Sequence, residues 1–149
     1  MNDRRDEQID ILLVEDNPGD VRLTQEAFRQ LSTETTIHVA TDGDEGVEFL
    51  TERCDDGSAP LPDLVLLDLN LPRMGGLEFL ESIQEEPKLA RIPVLVLTSS
   101  EAIEDIHESY ELAANAYLTK PTDPIEYTEM VEAVADFWFQ RAALPPMSA

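Results

Sequence analysis

The sequence predicts an α/β fold, a doubly wound five-stranded parallel sheet of (βα)5 type. Three observations carry this. Short unbroken apolar runs recur, Leu64-Val65-Leu66-Leu67 the clearest of them, as strands buried on both faces require. Helical patterns alternate with those runs, which implies βαβ units. Polar residues with usable chemistry close the runs: Glu15-Asp16, Asp68, Thr98-Ser99 and Lys120-Pro121. In an open α/β sheet the carboxyl ends of the strands are where ligands bind.

The first strand is expected over 9–14. Pro18 opens a helix through about Leu31, with Val21, Ala27, Phe28 and Leu31 on its apolar side. The second strand spans 36–40, and Asp42 is the expected N-cap of a helix carrying Val47 and Leu50. A Gly/Pro/Ser loop over 55–62 leads to the third strand, 64–68. Gly75-Gly76 then turn the chain into a helix through Ile83, and Pro93 marks the start of the fourth strand. A helix over about 102–113 precedes the fifth strand, 116–119. Asp123-Pro124 places an acid at the cap and proline in the first turn of the last helix.

The chain has 149 residues and no internal repeat, which suits one domain with a core over about 9–141. Residues 1–8 and 142–149 read as loose tails. Cys54 is the single cysteine, so no intrachain disulfide forms, and its expected role is a small apolar residue at a helix end. No stretch has transmembrane length and no signal-peptide core is visible, so the expected location is the cytoplasm, without membrane contact.

Acids number 32 against 10 Lys plus Arg, for a formal net charge of -22. No basic stripe is available to neutralise phosphates, so DNA is not an expected partner. The acids are spread along the chain, as on an acidic folded surface. Self-repulsion at such charge is relieved by salt, a lever halophiles use, and the near-absence of lysine points to a salt-rich cell.

Taken alone, Asp68 also reads as a helix N-cap or turn residue, and Asp16 as the N-cap of the helix after Pro18. The convergence of four strand ends favours chemistry instead. Asp16 and Asp68 can supply carboxylates to Mg²⁺, which takes one or two of them with phosphate and water, and Glu15 is close enough to assist. Clustered acids repel one another unless a cation joins them. A carboxylate can accept a phosphoryl group covalently, with Mg²⁺, the Lys120 ammonium and the Thr98 hydroxyl each facing one oxygen. Other phosphate sites fail on residues. Neither G-x-x-x-x-G-K-[ST] nor G-x-G-x-x-G occurs. Glu15-Asp16-Asn17 would repel a flavin phosphate, and a haloacid-dehalogenase-type phosphatase needs Asp where Asn70 stands.

Ile11-Leu12-Leu13-Val14-Glu15-Asp16-Asn17, Leu67-Asp68-Leu69-Asn70-Leu71-Pro72, Leu97-Thr98-Ser99-Ser100 and Tyr117-Leu118-Thr119-Lys120-Pro121 together resemble a response-regulator receiver domain of two-component signalling. The likeness covers about 9–140. Val14 to Asp20, with Phe137-Trp138, further resembles the single-domain regulators of cyanobacterial-type phytochrome kinases. The resemblance implies the flavodoxin-like strand order 2-1-3-4-5 and a stand-alone switch rather than an enzyme. It makes Asp68 the phosphoacceptor, fed by a sensor histidine kinase. Glu15, Asp16, Asp68 and the Asn70 backbone carbonyl become the Mg²⁺ ligands. Thr98 and Tyr117 become the switch pair, and Lys120 the partner of the acyl phosphate through a typically cis bond to Pro121. Ser100 lies where phosphoryl lifetime is tuned. A pseudo-receiver, a constitutive binding module, would lose one of these residues, and none is missing.

His38 and His107 read as ordinary strand and helix residues. Tyr127, Val131, Val134 and Trp138 follow helical spacing and belong to the core, while Met130, Phe137 and Phe139 widen the apolar arc. That surplus suggests a homodimer or partner face on the last helix.

Overall fold

In the computed structural model five parallel strands stand in the order β2-β1-β3-β4-β5. The structure describes residues 9–31, 34–57, 60–71, 74–99, 106–107, 111, 114, 116–121 and 123–137. The strands are β1 (Ile9–Val14), β2 (Thr35–Ala40), β3 (Leu64–Leu67), β4 (Val94–Thr98) and β5 (Ala116–Thr119). The helices among the described residues are α1 (Pro18–Arg29), α2 (Gly43–Asp56), α3 (Gly76–Gln84) and α4 (Pro124–Ala135), with a 3-10 turn at Leu89–Arg91. The helix expected over 102–113 falls almost wholly outside the described residues, as do Pro72, Ser100, Trp138, Phe139 and both tails.

Strand parity divides the core. Side chains alternate across a sheet, so Ile9, Ile11 and Leu13 of β1 meet Ala27 and Phe28 of α1 and Val131 and Val134 of α4. Leu12 and Val14 face the other way, onto Leu50 of α2 and Phe79, Leu80 and Ile83 of α3. β3 and β4 split alike, which explains why their sequences are continuous apolar runs.

Caps fix where the helices begin. Asp42 and Asp123 are N-caps, as expected, accepting from the Glu45 and Glu126 N–H at 2.8 and 2.9 Å. For α1 the cap is Asn17, whose Oδ1 accepts the Asp20 N–H at 3.0 Å. Asp16 is therefore relieved of the capping role. α1 ends at Arg29, two residues before Leu31, and β3 at Leu67, which leaves Asp68 just past the strand.

Along α4, Tyr127, Val131 and Val134 are buried and Ile125 is 73% exposed, while Phe137, two residues past the helix, is 53% exposed. Met130 is half-buried against the α1 side of the core. His38 lies in β2 with its ring centroid 5.1 Å from that of Phe49, and His107 is exposed. Cys54 is half-buried near the end of α2, as its sequence context suggests.

A carboxylate site at the strand ends

Register decides which residues meet. Val14 pairs with Leu67, Leu67 with Val96, and Thr98 with Thr119. Each next residue along β1, β3 and β5 is therefore Glu15, Asp68 or Lys120, at one edge of the sheet. The backbone holds them there. The Asp68 N–H donates to Val14 O at 3.0 Å, that of Glu15 to Ala40 O at 2.9 Å, and that of Lys120 to Thr98 O at 2.9 Å.

The Lys120 ammonium ties the side chains together. Its Nζ lies 2.6 Å from Glu15 Oε1, 2.7 Å from Asp20 Oδ2 and 2.9 Å from Asp68 Oδ2. Lys120 and Asp68 side chains are 9% and 7% exposed, so water screens these contacts little. The other Asp68 oxygen accepts the Asn70 N–H at 3.1 Å. Asp68 thus also plays the turn part that its position suggested.

Burial pushes Glu15 up to about 7, and the neighbouring Asp68 carboxylate adds to that rise against the pull of Lys120. Burial opposes ionisation of Asp68 as well, yet hydrogen bonds from Lys120 and the Asn70 N–H hold its carboxyl below the usual range. Desolvation works against the Lys120 charge too, but hydrogen bonds to Asp20, Glu15 and Asp68 raise its pKa well above that of an ordinary lysine. The buried edge therefore separates its acids. Asp68 stays ionised, while Glu15 retains a proton up to neutrality.

A model of the response regulator receiver domain matches residues 11–132. The chain belongs to this family. Response regulator Rcp1 of Synechocystis is 41% identical over 135 residues, covering 91% of this chain and 92% of that protein. The crystal structure of the phosphorylated cyanobacterial phytochrome response regulator RcpA superposes with a TM-score of 0.87 at 39% identity, over 94% of this chain and all of that one. The Mn²⁺-bound form of Rcp1 gives 0.83 at 40% identity, over 93% and 99% of the two chains. This chain is thus a receiver domain of two-component signalling, similar to phytochrome response regulators.

In this receiver Glu15, Asp16 and Asp68 each bring a carboxylate oxygen within 4.8 Å of the others. Such a set of hard oxygen donors suits a divalent cation, and Asp16, the exposed member, opens it to solvent. Thr98 is fully buried at the end of β4, with the Asn70 Nδ2 3.5 Å from its hydroxyl. Tyr117 is half-buried and packs on the α2/α3 side of the core. One expectation fails. No peptide bond among the described residues is cis, so the Lys120-Pro121 bond is trans. X-Pro bonds favour trans by only about 0.5–1 kcal/mol, and Lys120 reaches all three acids with trans geometry.

Asp20 is the contact that sequence reasoning missed. It stands in the first turn of α1, 100 residues from Lys120. The available signal was its place at the end of Val14-Glu15-Asp16-Asn17-Pro18-Gly19-Asp20. Pro18 starts the helix, and Asp20, two residues into it, is turned back beside the Glu15 strand end.

Proposed function

We propose that this chain is a stand-alone, single-domain phosphoacceptor switch: Asp68 takes a phosphoryl group from a sensor histidine kinase, of phytochrome type, with Mg²⁺. The observation that carries the reading is the meeting of Asp68 with Lys120 at 2.9 Å beside Glu15 and Asp16. An Asp68 oxygen attacks phosphorus. The bond from phosphorus to the kinase imidazole nitrogen breaks, and its electron pair stays on that nitrogen. Glu15, Asp16, Asp68 and the Asn70 carbonyl would hold Mg²⁺, which supplies neutralisation of phosphoryl oxygen charge. Lys120 neutralises another oxygen, and the Thr98 hydroxyl donates to a third. Thr98 and Tyr117 then pass the change to the partner-binding face. The chain assists its own phosphorylation and dephosphorylation without being an enzyme acting on other substrates.

The exposed Ile125 on α4 and Phe137 just past its end support a homodimer through the last helix. No described helix is long and apolar enough to cross a membrane, and we place the protein in the cytoplasm of a salt-rich cell on its charge of -22. With so few cations, DNA is not a partner we propose.

Acetyl phosphate and Mg²⁺ followed by intact-mass measurement tests the central claim. The expected result is one phosphoryl adduct on the wild type and none on Asp68→Asn, whose amide is a poor nucleophile. Absence of any adduct on the wild type would indicate a constitutive binding module. Multiple turnover on foreign phosphate esters would indicate a phosphatase.

A further inference from the structure

An ammonium has three N–H donors. All three donors of Lys120 are matched by carboxylate oxygens, one each from Glu15, Asp20 and Asp68. None is left for a fourth anion. A phosphoryl group arriving on Asp68 can engage Lys120 only by displacing one of these partners. The three differ in what else claims them. Glu15 and Asp68 belong to the carboxylate set that suits a divalent cation, and Asp20 does not. Asp20 is also the most exposed of the three acids, at 28% against 3% and 7%, so water can take over its hydrogen bonds when Lys120 leaves. Its main chain is independently secured: the N–H donates to Asn17 Oδ1, and the carbonyl accepts the Thr24 hydroxyl at 2.9 Å.

We propose that Asp20 is a positioning residue that parks Lys120 in the resting state, and that its contact is the one exchanged when Lys120 turns to the phosphoryl group. The inference rests on the phosphoacceptor reading of Asp68. Asp20 is the partner of Lys120 on the α1 side, while the same ammonium touches Glu15 at 2.6 Å and Asp68 at 2.9 Å. The hold therefore acts in opposite directions on two ligands. It opposes engagement of a phosphoryl group, and it favours a divalent cation by leaving the ammonium a carboxylate partner of its own when the cation takes Glu15 and Asp68.

Asp20→Asn separates these effects, because the amide preserves shape and main-chain bonds while losing the charge. Asp20→Ala is the second variant, and melting curves show that both are folded. The probes are Mg²⁺ alone and beryllofluoride at saturating Mg²⁺, each followed by calorimetry. Both variants are expected to bind beryllofluoride about three- to fivefold more tightly, the scale of a partly exposed charge pair, and Mg²⁺ alone more weakly. In a Lys120→Ala background the Asp20 substitution is expected to have no effect on either ligand, as coupling through the lysine requires. A purely structural role would move both affinities in the same direction or neither. Beryllofluoride affinity unchanged or lowered in both variants overturns the inference, as does an Asp20 effect that survives without Lys120. Wild type that takes no beryllofluoride overturns the phosphoacceptor reading and this inference together.

Discussion

Glu15, Asp20 and Asp68 share one ammonium at 2.6–2.9 Å on a buried sheet edge. On the outer face of α1, Glu26 pairs with Arg29 one turn away, with both side chains more than half exposed. Burial separates the two settings. At the edge little water screens the charges, so the acids acquire different proton affinities and depend on a cation. On the helix face solvent screens each acid, and the charges act chiefly through their sum. The lesson is that the -22 charge comprises a few coupled carboxylates, sensitive to ligands, and many independent ones, sensitive to ionic strength.

The strongest way to break that contrast is to remove the cation. In Mg²⁺-free buffer Lys120→Ala leaves Glu15, Asp20 and Asp68 without their shared partner, and a loss of about 3 kcal/mol in denaturant titrations is expected. Mg²⁺ should still bind and restore most of it. Phosphorylation-dependent partner affinity should not return. Lys88→Ala, at an exposed position, should change stability by less than about 0.5 kcal/mol.

A steric test comes next. A Cβ on Gly76 would sit 2.5 Å from Leu69 Cα and 2.7 Å from Asp68 O, backbone atoms that cannot give way without shifting the segment after Asp68. Gly76→Ala is expected to cost about 1–3 kcal/mol and to weaken Mg²⁺ binding. Equal Mg²⁺ affinity would show that the Asp68 segment does not set the site geometry.

Salt and metal then sharpen the contrast. Screening length grows from about 3 Å at 1 M to about 30 Å at 0.01 M, so the melting temperature should rise with KCl. Millimolar Mg²⁺ at low salt should add a further increment by binding the native state. Asp16→Asn with Asp68→Asn should erase the Mg²⁺ increment and keep the KCl response. A melting temperature flat from dilute buffer to molar KCl would sink the salt-adaptation reading.

A separate test varies pH. The Glu15 carboxyl is raised from 4.5 to about 7, so above pH 4.5 the folded protein keeps a proton that the unfolded chain has lost. Stability from this group is full below 4.5, declines as pH rises, and levels off above about 7. In the same window protons compete with the cation, so Mg²⁺ affinity should increase toward pH 8. Glu15→Gln should flatten both profiles. Unchanged profiles in that variant would remove Glu15 as the titrating group.

β1, β3 and β4 were legible because burial on both faces leaves a nearly continuous apolar run, the half-buried edge strands β2 and β5 from their place in the alternation with helices, and the site because its acids, hydroxyl and lysine stand at the strand ends. Helix starts at Asp42 and Asp123 were legible from cap chemistry. What escaped was decided in three dimensions. Asn17 rather than Asp16 caps α1, because the cap residue must lie one step before Pro18 in extended geometry. The Asp20 contact with Lys120 spans 100 residues, and local periodicity cannot report it. The trans Lys120-Pro121 bond turns on a preference too small to be written in neighbouring residues.

Lys120 and Lys88 are the only lysines in 149 residues, and they differ in chemical accessibility. Acylating reagents attack the free amine, which Lys120 seldom offers: its side chain is 9% exposed and its three acid partners raise its pKa. Lys88, on the surface, should acylate quickly. Their ratio of modification rates is therefore an internal gauge, one residue serving as clock and the other as sensor. Any event that draws the ammonium out of its carboxylate cage would register as a change in labelling, with no engineered tag on the protein.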